Sequence, residues 1–300
     1  MTKNVIYREY GPGDAVKIGS FNKELESAYL FNNDFKPENI FLATDKKNQV
    51  LAIGHLEPYS FLEKNGETKT YVSHFRINIV QNPMYSIDES VKDGILTKLI
   101  KRAKEIKKCH HKTIKLYVSL PNQKTNDIDY FLSKGFCHNE TAFIMRRDLT
   151  KPIDTDFPRY NGVDVSHWKV ETEKEQLKYL QAQKDSEIPE LWSKEKLVWF
   201  KSRPNWHTFT AFYQGNIIGS VMTWELGENI SMTEQMFILP HWRQKGIARQ
   251  ILTDALVSLR DKGKTEVLLG VLSHNKGAIN LCKSAGYHLI ETYLQFSLTI

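Results

Sequence analysis

The hydrophobic positions change period sharply in the last third of the chain. "HTFTAFY" (207–213) and "NIIGSVMTWEL" (216–226) are rich in β-formers on either side of Gln-Gly-Asn, which predicts a hairpin. A third strand, "ISMTEQMFIL" (230–239), stops at Pro240. The period then becomes helical. From Gly246 onward Ile247, Ile251, Leu252, Ala255, Leu256 and Leu259 fall on one face, and Gly263 ends the run. "TEVLLGVLS" follows as a buried strand, "KGAINLCKSAG" as a short helix closed by Gly286, and "YHLIETYLQFSLTI" as a last extended segment. The pattern predicts an α+β fold, a mixed and mostly antiparallel sheet covered by helices.

The first half carries the same signals. At an offset of 152, Gly94-Ile95 aligns with Gly246-Ile247, Ala103 with Ala255, Thr113 with Thr265, Leu116 with Leu268 and Leu120 with Leu272. After one slip, Ile128 matches Ile279, Ser133 Ser284, Gly135 Gly286, and Glu140-Thr141 Glu291-Thr292. Ordered matches over such a distance indicate duplication of a whole domain, not a solenoid unit of about 20 to 50 residues. Two related domains are expected, 1–150 and 160–300. "DLTKPIDTDFPRYNG" (148–162) joins them as a short, fairly stiff linker.

Composition narrows the function classes. With 41% hydrophobic and 25% charged residues, and no window near the roughly 18 consecutive apolar residues of a membrane span, a soluble globular protein is expected. The mean hydropathy of −0.45 agrees. The start, "MTKNVIYREYGPG", has no apolar core or cleavage site of a signal peptide, so the cytoplasm is the expected location. Cys109, Cys137 and Cys282 are odd in number and form no CxxC pair, which argues against disulfides and zinc. His110 and His111 are adjacent and would diverge by about 100° on a helix, so no metal site is expected. The net charge of +6 is not organised for nucleic acid: "KRAKEIKKCHHK" (101–112) reads as a solvated helix face without aromatics for base stacking.

The candidate chemistry lies in "PHWRQKGIARQIL" (240–252), where a strand turns into a helix through Arg243, Gln244, Lys245 and Gly246. A helix start leaves backbone N–H groups unpaired and its dipole favours anions, so this corner is a phosphate cradle. Gly246 lets a diphosphate approach the main chain, Ala248 keeps the next position small, and Arg243 and Lys245 add charge. Neither GxxxxGK[ST] nor GxGxxG is present.

With the later "SHNKGAINLCKSAGY", the corner resembles the GNAT acyltransferase superfamily over residues 163–300. Its [QR]xxGx[GA] loop is met by Arg243, Gln244, Lys245, Gly246, Ile247 and Ala248, and its downstream pattern by Asn275, Ala278, Leu281, Gly286 and Tyr287. Cys282 departs from it, standing where the family has tyrosine. The resemblance implies acetyl-CoA or a related acyl-CoA as cosubstrate, its diphosphate on the amides of 243–248 and its pantetheine arm along the main chain of Met236, Phe237 and Ile238. Asn275 would touch the cofactor, and an N–H near Phe237 or Ile238 would hold the oxyanion.

The resemblance also suggests Glu234 as the general base. Period-two alternation puts it on one face with Met232, Met236 and Ile238, where partial burial would raise its pKa; the alternative is a strand carboxylate in solvent or paired with a cation. Cys282 occupies the place of the general acid, with Tyr287, Tyr293 or a water as alternatives. Trp192 and Trp199 with Asp185, Glu187 and Glu190 border the implied acceptor site, for a primary amine of a small molecule or peptide. In the first copy Val91, Leu96, Asp93 and Gln123 replace the loop and downstream residues, so a degenerate domain is expected that keeps the fold, shapes the acceptor site and binds no CoA. Competing readings are a silent acyl-CoA sensor and a transferase of aminoacyl groups from tRNA, against which the intact loop argues. A homodimer is a permitted assembly.

Overall fold

The computed structural model describes residues 5–86, 88–110 and 113–300; His111 lies outside them, as do the side chains of Cys109 and His110. The chain forms two compact units, Met1–Val118 with Ser297–Ile300, and Ser119–Phe296.

The first unit contains β1 (Ile6–Glu9), α1 (Asp14–Gly19), α2 (Lys23–Phe31), β2 (Ile40–Thr44), β3 (Val50–Asn65), β4 (Thr68–Gln81), α3 (Glu89–His110) and the start of β5 (Lys115–Pro121). Its sheet runs β1-β2-β3-β4-β5, antiparallel except for the parallel step from β4 to β5. The hairpin of β3 and β4 keeps continuous register from Ala52↔Gln81 to Asn65↔Thr68. Helix α3 buries Val91, Ile95, Leu96, Leu99 and Ala103.

The second unit contains α4 (Thr125–Ser133), β6 (Cys137–Asp148), β7 (Val163–Trp168), α5 (Glu173–Asp185), β8 (Glu190–Leu191), α6 (Lys194–Lys201), β9 (His207–Tyr213), β10 (Asn216–Glu225), β11 (Ile230–Ile238), α7 (Ile247–Asp261), β12 (Glu266–Leu272), α8 (Lys276–Ser284) and β13 (His288–Thr299). Its sheet order is β13-β6-β12-β11-β10-β9-β7. The expected hairpin is β9–β10, turned by Gln214 and Gly215 at φ 48° and 74°. One face of the sheet packs under α5 and α6 through Tyr179, Leu197, Met222, Trp224 and Phe237. The other packs under α7 and α8. The six apolar positions assigned to the long helix are all buried on α7.

The repeat is visible in the elements: β12, α8 and β13 each begin 151 residues after β5, α4 and β6. The one-residue slip therefore falls before β5, earlier than the residue matches suggested. The repeat and the unit of compaction also have different boundaries. Strand β6, the last of the first repeat, pairs antiparallel with β12 of the second, from Asp148↔Glu266 to Ala142↔Leu272. The chain's end counts with the first unit, where the Ile300 N–H donates to the Ile114 carbonyl at 2.9 Å. The linker is consequently internal to the second unit and fastened along α7. Arg159 pairs with Asp254, Asp154 with Arg249, and Tyr160 meets Trp242 edge-on at 5.7 Å.

Two histidines of this unit give it a defined acid response. His207 is 4% exposed and its ring centroid lies 3.8 Å from that of His167. Nδ1–H donates to the Asn205 carbonyl and Nε2 accepts from the Thr223 hydroxyl, which is the neutral tautomer. Burial, then the neighbouring His167 and Lys262, push the His207 pKa down to about 3, and burial also lowers His167. The unfolded chain takes up these protons near pH 6.5 and the folded chain does not, so stability present above pH 6.5 is lost as pH falls toward 3. His207→Gln is expected to flatten the fall of the thermal midpoint in that window, read by circular dichroism melts from pH 7 to 4. A fall as steep as that of the unaltered protein would show that other groups govern it.

Candidate active site

The site grows from an interruption in β11. Gln235 has φ 52°, and pairing with β10 skips from Met222↔Glu234 to Ser220↔Phe237, a bulge of one residue. The bulge reverses the alternation beyond it. Glu234 shares its face with Met232 and Phe237, under α5 and α6, while Met236 and Ile238 turn to the α7 side. The expectation that Glu234 faces with Met236 and Ile238 is therefore corrected; only Met232 of that set remains beside it. Glu234 is half-buried.

The parallel ladder between β11 and β12 ends at Thr233↔Leu269, although β11 continues to Ile238 and β12 to Leu272. The strands part, and beyond Thr233 the β12-facing edge of β11 lies open through Met236, Phe237 and Ile238. Phe237 is buried against Tyr179 at a centroid distance of 5.7 Å; Met236 sits between the two clusters on the α7 side.

From the end of this edge the chain passes through a turn at Pro240–Trp242 and enters α7 at Gly246. Gln244 and Gly246 are both left-handed, at φ 61° and 78°. For Gln244 this is a strained conformation, as it is for Gln235, and Glu187 (φ 55°) adds a third such residue nearby in the fold. The first intrahelical bond of α7 is Gln250 N–H to the Gly246 carbonyl, so Ile247, Ala248 and Arg249 have N–H groups with no helical partner, and no side chain caps the helix. A Cβ at Gly246 would meet nothing within 4 Å, so the space before these amides is open.

The basic side chains behave differently from one another. Arg243 is a fastener: Nε donates to the Ile238 carbonyl at 3.2 Å and Nη2 to the Ser186 carbonyl at 2.5 Å, tying the turn to β11 and to the end of α5. The Lys245 ammonium lies 5.0 Å from the Trp242 ring and 5.7 Å from that of Tyr160. Sequence reasoning missed Tyr160, Trp242 and Ser186. A polar linker gives no signal that its tyrosine docks on this turn. Asn275 caps α8, its Oδ1 accepting from the Ala278 N–H at 3.1 Å, at the end of β12 where the strands have parted.

Cys282 is 5% exposed within the cluster of Leu252, Leu256, Leu269 and Tyr287, and burial pushes its thiol up to about 11. It stays protonated at neutral pH. Tyr287 is buried too and its pKa is raised by desolvation; Tyr293 is half-buried, raised by burial and by Glu291. Iodoacetamide at pH 7.5 is expected to alkylate exposed Cys137 and spare Cys282, as peptide mass spectrometry would read. Rapid native labelling of Cys282 would contradict its burial. Of the residues expected beside an acceptor, Trp192 is core, 3% exposed with its ring tilted against Phe200 at 4.3 Å, and Glu190 is paired with Lys196 at 2.9 Å. Trp199 is half-buried with the Arg203 guanidinium 4.9 Å from its ring, and Asp185 accepts from Gln181. Among the described residues no group of His, Cys, Asp or Glu is arranged for a metal, and no helix is long and apolar enough to cross a membrane.

In the first repeat the corresponding corner is closed. Helix α3 begins at Glu89, so Gly94 and Ile95 lie inside it and their amides are spent in helical bonds. A side chain at 94 would collide with the Tyr7 ring, whose hydroxyl donates to the Ser90 carbonyl at 3.1 Å. Strand β4 has no bulge, and Gln123 bonds Glu291.

Parted parallel strands with an amide-lined turn at the mouth are the defining features of the site, and the comparisons show where the fold recurs. Residues 170–287 match the model of the Acetyltransferase (GNAT) family. The match lies within the second repeat, and that part of the chain is similar to this family. The fold is also that of GNAT proteins over the whole length: a GCN5-related N-acetyltransferase from Sphaerobacter thermophilus superposes with TM-score 0.68 at 13% identity, covering 99% of this chain and 96% of the other. A tandem GNAT protein from the clavulanic acid biosynthesis pathway gives 0.65 at 11%, covering 99% and 98%. A GCN5-related N-acetyltransferase from Kribbella flavida gives 0.56 at 12%, covering 96% of each. No curated protein matches the sequence.

Proposed function

We propose that the second repeat, residues 160–300, transfers an acetyl group from acetyl-CoA directly to a primary amine of a small molecule or peptide. The observation that carries this reading is the continuity of two features: an open strand edge at Met236–Ile238 leads into unpaired amides at the start of α7. A pantetheine arm is an amide chain and adds to the first like another strand; a diphosphate suits the second. In this reading Arg243 holds the turn in shape, Lys245 supplies charge beside it, and Asn275 meets the cofactor from the end of β12.

The amine nitrogen attacks the thioester carbonyl and forms the C–N bond while the developing oxyanion takes a main-chain N–H at Phe237 or Ile238. Glu234 receives the amine proton, directly or through one water. The C–S bond breaks and the CoA sulfur takes a proton from Cys282, whose thiol is protonated at neutral pH, or from solvent. The first repeat, residues 1–150, is then a degenerate copy that shapes the acceptor site: Tyr7 and the early start of α3 support the absence of a second CoA site. A cytoplasmic location fits this chemistry.

One observation favours a second reading, an acyl-CoA sensor without turnover: the residue in the acid position is a buried thiol. An acetyl-CoA-dependent thiol-release screen over amines, amino acids, polyamines, aminoglycosides and peptides separates them. Release with at least one amine supports the transferase. Tight acetyl-CoA binding with no release over any acceptor supports the sensor.

A further inference from the structure

Between the linker and α7 lies a cavity of about 150 Å³ that the acyl-transfer reading does not use. Its walls include Arg147, Pro152, Arg249, Thr253, Ser284 and Gly286. Arg147 is the unusual member. It is the penultimate residue of β6 and is 7% exposed, yet no carboxylate among the described residues forms an ion pair with it. Nη2 donates to the carbonyls of Lys151 at 3.3 Å and Pro152 at 2.5 Å; Nε is buried with no partner at all. Its nearest acid in sequence, Asp148, is engaged by the N–H and hydroxyl of Thr150. Asp154 also lines the cavity, but its carboxylate is already paired with Arg249.

A guanidinium removed from water without a counter-charge is costly, and the fork geometry of arginine matches tetrahedral and planar oxyanions. Gly286 completes the fit. A Cβ there would stand 2.8–3.0 Å from Nη1, Cζ and Nε of Arg147, so the residue at 286 sets how deep the guanidinium can sit. The volume is below the roughly 300 Å³ at which drug-sized ligands begin and is several times the ~30 Å³ share of one water, which selects a small ion over a nucleotide.

We propose that this cavity binds a free small oxyanion of the phosphate or sulfate type, with the Arg147 guanidinium as its principal donor and Thr253 and Ser284 lining its bed. The ion would neutralise Arg147 and fasten the linker to α7. Because the same linker carries Tyr160 to Trp242 and Lys245, its occupancy would steady the turn ahead of α7.

The test is calorimetric titration of the full chain with inorganic phosphate at constant ionic strength, using chloride as the balancing salt. One phosphate per chain at this cavity is expected, weakened by at least about tenfold in Arg147→Met and in Thr253→Met, which fills the cavity and leaves the guanidinium. Lys245→Ala, which lies on the turn and outside the cavity lining, should leave that binding within about twofold. Should Arg147→Met fail to fold by circular dichroism, Thr253→Met decides. The proposal is overturned by no phosphate binding to the unaltered chain, by undiminished binding in either folded cavity variant, or by loss of binding in Lys245→Ala alone, which would put the ion on the turn. It is also overturned if Arg147→Met weakens acetyl-CoA and not phosphate, since the anion would then belong to the larger molecule.

Discussion

Replacing Gly246 with leucine is expected to weaken acetyl-CoA binding by about 100-fold, or roughly 2.7 kcal/mol, while lowering folding stability by only about 1–2 kcal/mol. The two effects have separate origins. Gly246 sits at φ 78°, so any L side chain there carries the left-handed backbone penalty. Its Cβ direction, however, opens on space with no atom within 4 Å, so nothing in the free protein is displaced. The side chain would instead occupy the volume in front of the Ile247, Ala248 and Arg249 amides. Calorimetry with acetyl-CoA gives the first quantity and a denaturant titration the second. A large stability loss with little change in affinity would mean that Gly246 serves the turn and not a ligand.

Glu234→Gln is expected to lower kcat by about 10²–10⁴ and to leave the affinity for acetyl-CoA unchanged. The bulge at Gln235 makes this split possible: Glu234 stands opposite Met222 on the α5 and α6 side, whereas the cradle is on the side of α7. The isosteric amide keeps the volume and removes the proton acceptor. The lost rate should partly return as pH rises and the acceptor amine deprotonates in solution. Steady-state thiol release with an identified acceptor measures this, and an unchanged kcat would remove Glu234 from the chemistry.

The glycine-led start of α7 was legible because its signal is local. Gly246, the change of period at Ile247 and the apolar face of α7 all lie within 15 residues, and each depends on backbone conformation or helix amphipathicity alone. The bulge was not legible. Bulges often announce themselves by glycine, but here Gln235 takes the left-handed conformation, so strict alternation sent Met236 and Ile238 to the wrong face. The first repeat shows the converse. Gly94 aligned with Gly246, yet α3 begins at Glu89 and runs through it, because a glycine inside a helix costs only about 1 kcal/mol and here makes room for the Tyr7 ring. The pairing of β6 with β12, and the docking of 148–162 along α7, are long-range choices. Proline and polar residues marked that stretch as a connection, and nothing local said where Arg159 or Tyr160 would bind.

The diphosphate of acetyl-CoA is expected before the first amides of α7, and a crystal structure of the full chain with CoA reads this directly. Diphosphate oxygens at about 2.9 Å from main-chain N–H groups between Gln244 and Arg249, with one CoA per chain and the pantetheine arm along Met236–Ile238, is the predicted result. CoA bound elsewhere with this turn empty, or a second CoA beside Gly94, would contradict it.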